Sequence, residues 1–199
     1  SHDLARHHEK MAKKKAARAK IMAGKTIERG LLIVHTGKGK GKSTAAFGMV
    51  FRCIGHGFKS GVIQFIKGAW DTGERTVLEK FPELVTIKAV GEGFTWETQD
   101  SGRDTAAAQA AWKIAQAYLT DDTIDLVVFD EMTYAFKYGW LDLAEVLAAI
   151  AARPRMQTVI VTGRAAPDAL VEAADTITEM GMVKHAFKAG VKAMPGVEY

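Results

Sequence analysis

The stretch Thr36 to Thr44, TGKGKGKST, holds the residue types needed to grip phosphate. Gly37, Gly39 and Gly41 carry no Cβ, so backbone N–H groups can close around phosphate oxygens. Lys38 and Lys40 add positive charge, Lys42 has the reach to meet the outer phosphates, and the Ser43 hydroxyl is suited to Mg2+. Farther along, Leu126–Glu131 (LVVFDE) ends in two carboxylates. An acid at such a point faces the phosphate loop and helps to position Mg2+. Strand alternation points Asp130 and Glu131 in opposite directions, so only one of them is expected to face the metal. Arg52 and Arg164 are two further cations, each also readable as an ordinary surface charge.

These residues need a strand before the loop and a helix after it. Leu31–His35 supplies the strand, and the run from Lys42 to Ile54 reads as a helix that stops at Gly55. The helix start adds unpaired N–H donors and a positive dipole end, with Thr44 in its first turn. The usual pattern has glycine at the first loop position, where Thr36 stands here. The competing reading is a lysine-rich surface turn, which the flanking strand and helix signals disfavour.

A chain of 199 residues with 48% apolar content is sized for one domain with a substantial core. No apolar run reaches the roughly 20 residues of a membrane span, and no secretory signal is legible. The single cysteine, Cys53, allows no internal disulfide and reads as a structural thiol of a cytoplasmic protein. The net charge of +4 hides an asymmetry: residues 1–29 hold nine Lys/Arg against three Asp/Glu, and the remainder holds 18 against 20. Residues 1–29 therefore read as a basic arm, and residues 30–199 as the body, an α/β domain. The arm could bind nucleic acid, close as a lid over an anionic ligand, or be a solvated, partly disordered tail. Its shortage of large apolar residues favours the last for residues 1–20.

Further strands are expected at Gly61–Ile66, Val85–Val90, Thr158–Thr162 and Thr176–Met180. Helices are expected over Glu74–Phe81, Ser101–Leu119, Asp142–Ala152 and Pro167–Ala174. Ala108, Trp112, Ala115 and Leu119 recur at 4-3-4 spacing, a core stripe. This alternation predicts a mostly parallel sheet with helices on both faces and a ligand at the carboxyl ends of its strands. The segment GEGFTWETQD, Gly91 to Asp100, carries Phe94 and Trp96, which either plug the core or offer a flat surface to a flat ligand. His35, His56 and His185 show no triad or metal spacing and read as structural.

Taken together, TGKGKGKSTAAFG, RCIGHG, VIQFIKG, GFTWETQD, VVFDEMTYAFKYGWL, VTGR and VKHAFKAGVKAMPGVEY resemble the phosphate-loop type of ATP:corrinoid adenosyltransferase over Glu28 to Tyr199. GFTWETQD and VKHAFKAGVKA are the more specific of these. The family loop also lacks the first glycine. Lys38 stands where relatives often have Asn, and Ser43 where they often have Thr. The resemblance implies a phosphate-loop NTPase-like, RecA-like fold. It also implies transfer of the 5′-deoxyadenosyl group of ATP to reduced cobalt, Co(I), with release of triphosphate, in adenosylcobalamin biosynthesis or salvage. By the same likeness the ATP site comprises Gly37 to Thr44 with Arg52 and Arg164, and the loop holds the terminal phosphate. Mg2+ is held by Ser43 with Glu131 as the preferred acid and Asp130 as the other. Phe94 and Trp96 lie under the corrin ring and displace its lower axial ligand. These two and Lys42 form the catalytic set. A separate electron-donating flavoprotein and a homodimer are expected, with no nucleic-acid or membrane partner. The alternative is an ordinary phosphate-loop ATPase or small-molecule kinase.

Overall fold

The computed structural model describes residues 2–66, 72–89 and 101–199. Among the described residues six strands make one sheet: β1 (Leu32–Thr36), β2 (Ser60–Gln64), β3 (Val85–Ala89), β4 (Leu126–Asp130), β5 (Thr158–Thr162) and β6 (Thr176–Glu179). Their order is β3-β2-β4-β5-β1-β6, and every neighbouring pair is parallel. β5 therefore lies between the strand that feeds the glycine loop and the strand that ends in the acids. The fold is the α/β architecture the sequence predicts.

Parity along the strands divides the core. On β4, Leu126 and Val128 face one cluster while Val127 and Phe129 face the other. The first cluster contains Ala46, Phe47 and Val50 of α2 (Lys42–Gly55) and Leu78 of α3 (Gly73–Leu78). The second contains the predicted stripe Ala108, Trp112, Ala115 and Leu119 of α4 (Ser101–Thr120). It is completed by α5 (Thr133–Lys137), α6 (Leu143–Ala151) and α7 (Asp168–Ala173). Asp142 caps α6, its carboxylate accepting the Ala144 N–H at 3.1 Å, which satisfies one of the unpaired donors of a helix start.

Residues 2–20 depart from the expectation of a partly disordered tail. They belong to α1 (His2–Ala23), a helix exposed from Asp3 onward. Alanine and lysine favour the helix intrinsically, and Lys13 bonds Glu9 one turn earlier at 2.6 Å. The chain is pinned just after it. Arg29 makes a two-pronged bond to Asp175 at 2.5 and 2.8 Å, and Asp175 also accepts the Leu32 N–H at 2.9 Å. These donors hold the Asp175 carboxyl far below its ordinary range, the Arg29 hydrogen bond most of all. Gly30 is required here because a Cβ would lie 2.0 Å from the Gln157 carbonyl oxygen.

Candidate active site

The sheet delivers the loop at the carboxyl end of β1. Gly37 has φ +97° and Gly41 φ +108°, values a side chain resists. Gly39 meets a different constraint: its N–H donates to the Met180 carbonyl at 2.6 Å, and a Cβ would lie 2.6 Å from the Gly181 carbonyl oxygen. The residues just after β6 thus form one wall of the loop. Lys42, 6% exposed, donates from Nζ to the carbonyls of Gly37 at 3.0 Å and Gly39 at 2.6 Å. Burial pushes its pKa down, and the Arg164 charge adds to that; Glu131 and Asp130 oppose it.

Across the site stand the two acids. Asp130 lies on the α2 face of the sheet, 4% exposed, accepting the Thr162 hydroxyl at 2.7 Å. Burial raises the Asp130 pKa, and the polar side chains of Thr162, Ser43 and Gln64 counter the rise. Glu131 leaves the strand with φ +55°, an unusual conformation for a residue with a side chain, costing on the order of 1–3 kcal/mol. Simple alternation would have sent only one acid into the site. The left-handed turn at Glu131 instead brings both carboxylates to the same cavity. Glu131 is raised in pKa by burial first and by Asp130 second, with Lys42 and Arg164 pulling it back. Its Oε2 is buried without a hydrogen-bond partner.

The cavity measures about 540 Å3 and is lined by Lys40 to Thr44, Phe47, both acids, Thr72 to Glu74 and the segment 196–199. Lys40 pairs with Glu198 of that last segment. Lys38 is exposed on the loop. Arg52 is exposed in the last turn of α2, away from the loop end of that helix. Arg164 follows β5 and acts electrostatically on Lys42, Glu131 and Tyr134. The Cys53 thiol is half-buried, and burial pushes its pKa up, as suits a structural role. His35 is buried, with neither ring nitrogen hydrogen bonded. Phe94 and Trp96 lie outside the described residues.

Sequence reasoning missed Thr162, Gln64 and the carboxyl-terminal segment. The first two carried a signal, a polar residue closing an otherwise apolar strand, and register places Gln64 opposite Asp130. Segment 196–199 carried no periodic signal, because irregular chain has no period to read.

A loop that grips polyanions, two acids and a cation on a parallel sheet would suit many nucleotide enzymes. The comparison with known sequences decides between them: residues 28–199 match the model of the family described as ATP:corrinoid adenosyltransferase BtuR/CobO/CobP. The chain belongs to that ATP:corrinoid adenosyltransferase family. A corrinoid adenosyltransferase of Pseudomonas aeruginosa is 58% identical over 98% of this chain and 96% of its own length. One from Salmonella typhimurium is 52% identical over 86% and 87%. Among solved structures, the RadB recombinase aligns over 82% of this chain and 80% of its own, with 15% identity and a TM-score of 0.45.

Proposed function

We propose that this protein transfers the 5′-deoxyadenosyl group of ATP to the reduced cobalt of a corrinoid, releasing triphosphate. Membership of the adenosyltransferase family makes it an ATP-dependent transferase acting on corrinoids. The observation that carries the mechanism is the convergence of Lys42, Ser43, Asp130 and Glu131 on one cavity at the end of the glycine loop. The attacking atom is the cobalt of the substrate, so no protein base is required. The carbon–oxygen bond at C5′ breaks as the cobalt–carbon bond forms, and the electron pair departs with triphosphate. The protein's task is to hold and neutralise that polyanion, a task this reading gives to Lys42, the loop N–H groups and Arg164.

The donor set fits Mg2+. Among the described residues no three His, Cys, Asp or Glu side chains form a metal cage. Mg2+ characteristically takes only one or two protein oxygens and completes its shell with phosphate and water. Ser43 and the unpartnered oxygen of Glu131 would supply those oxygens, with Asp130 lining the same cavity. Bound Mg2+ would screen the charge of the triphosphate.

Phe94 and Trp96 are assigned to the lower face of the corrin ring, where apolar aromatics disfavour an axial ligand and ease reduction to Co(I). Arg52 is assigned to the nucleotide. The family likeness also supports a cytoplasmic homodimer supplied with electrons by a flavoprotein, with residues 1–29 closing over the site. A monomer mass in light scattering, with ATP and corrinoid present, would exclude the dimer.

The reaction is tested with ATP, Mg2+ and chemically reduced cobalamin. A light-sensitive cobalt–carbon product and stoichiometric triphosphate are expected. ADP in place of triphosphate would overturn the proposal in favour of an ATPase or kinase.

A further inference from the structure

The turn that carries Arg164 is stapled at both ends to the last two residues of β1. Gly163 donates its N–H to the His35 carbonyl at 3.1 Å, and Ala166 donates its N–H to the Thr36 hydroxyl at 3.2 Å. The turn between these staples is strained. Gly163 has φ +143°, and Ala165, which has a Cβ, has φ +50°. A Cβ at position 163 would lie 2.0 Å from Thr133 Oγ1. Left-handed backbone outside glycine persists only where its surroundings over-determine it, and it clusters where a side chain must be presented. Here the presented side chain is Arg164, flanked by the two left-handed residues.

Thr36 also opens the glycine loop. Its carbonyl accepts the Met180 N–H at 2.8 Å, so its backbone is committed to the sheet and only its side chain reaches the Arg164 turn. The glycine usual at this loop position has no side chain and could not make that bond. The hydroxyl accepts from a backbone N–H, a role serine can reproduce and valine, of nearly the same shape, cannot.

Resting on the reading of the site as a triphosphate grip, we propose that Thr36 is a positioning residue: its hydroxyl latches the Arg164 turn to the glycine loop, so that arginine and loop close on the same phosphate chain. The first loop position is then a coupling point between two phosphate-binding elements from strands β1 and β5.

The test is a double-mutant cycle read by calorimetric binding of MgATP to the whole protein, with KM for ATP and kcat measured alongside using supplied Co(I) cobalamin. Thr36→Val is expected to weaken ATP binding by up to about tenfold, the upper scale of one neutral hydrogen bond, and to raise KM more than it lowers kcat. Thr36→Ser is expected to stay within about twofold of the parent, because it keeps the acceptor. In an Arg164→Ala background, Thr36→Val is expected to add less than about twofold, since coupled residues do not contribute independently. Equal effects of Thr36→Val with and without Arg164 would overturn the proposal, as would a serine variant as impaired as the valine one. If valine disturbs folding, as seen in the thermal midpoint, the serine variant and Thr36→Ala complete the cycle. Binding is measured without turnover, so failure of this latch is separable from failure of the adenosyl-transfer reading, which would show as tight ATP binding with no cobalt–carbon product.

Discussion

The hydroxyl of Thr162 donates to Oδ1 of Asp130 across 2.7 Å and accepts the N–H of Glu131 at 2.9 Å. One side chain on β5 thereby fixes both acids at the end of β4. Thr162 is fully buried. Thr162→Val would leave a buried carboxylate and a buried N–H short of a partner, a loss of about 1–3 kcal/mol. A lower denaturation midpoint is expected in a urea titration, with recovery in Thr162→Ser. A valine variant as stable as the parent would show that the bond contributes nothing to the fold.

Lys42→Ala removes both the cation proposed to face the triphosphate and the two hydrogen bonds from its Nζ to the Gly37 and Gly39 carbonyls. Turnover is expected to fall about 100-fold or more, the scale of losing one charge stabiliser at a leaving group. The loss should be the same whether Co(I) is supplied or generated on the enzyme, because the triphosphate leaves in both cases. Product is read by its light-sensitive absorbance. A loss confined to one assay would remove Lys42 from the transfer step.

The proposed place of Trp96 under the corrin ring bears on reduction more than on transfer. Trp96→Ala should therefore lose more activity when Co(II) must be reduced on the enzyme than when Co(I) is added directly. Equal losses in the two assays would exclude a role in displacing the lower ligand.

His35 predicts a pH effect. Burial lowers its pKa below the ordinary 6.5. The unfolded chain therefore takes up a proton that the folded chain refuses as pH falls below that value, and folding stability drops. The acids work the other way, since Asp130 and Glu131 are raised, so the His35 contribution is read as a difference. Between neutral pH and about pH 5, the parent should lose more stability than His35→Gln in parallel denaturant titrations. Parallel curves would show that the imidazole protonates as freely folded as unfolded.

Much of this arrangement was legible in the chain because it is periodic or local. Thr158–Thr162 is β5 residue for residue, and the 4-3-4 stripe of α4 is buried as its spacing requires. Local rules failed where contacts were distant. The bond between Arg29 and Asp175 joins residues 146 apart in sequence. The convergence of Asp130 and Glu131 depends on one backbone angle that no strand pattern contains. Helix α5, five residues long, is too short to show a period. The helix at His2–Ala23 has little apolar surface to announce it, and its alanines and lysines suffice to form it.

The wall that Met180 and Gly181 provide for Gly39 has a consequence for how this loop can be moved. TGKGKGKST is no self-sufficient cassette. Grafted onto another strand and helix, it would bring its glycines but leave behind the carbonyl at 2.6 Å that anchors its middle, and that carbonyl belongs to chain added some 140 residues later. A nascent chain has every residue of the motif long before it has the Met180 carbonyl that anchors the loop's middle.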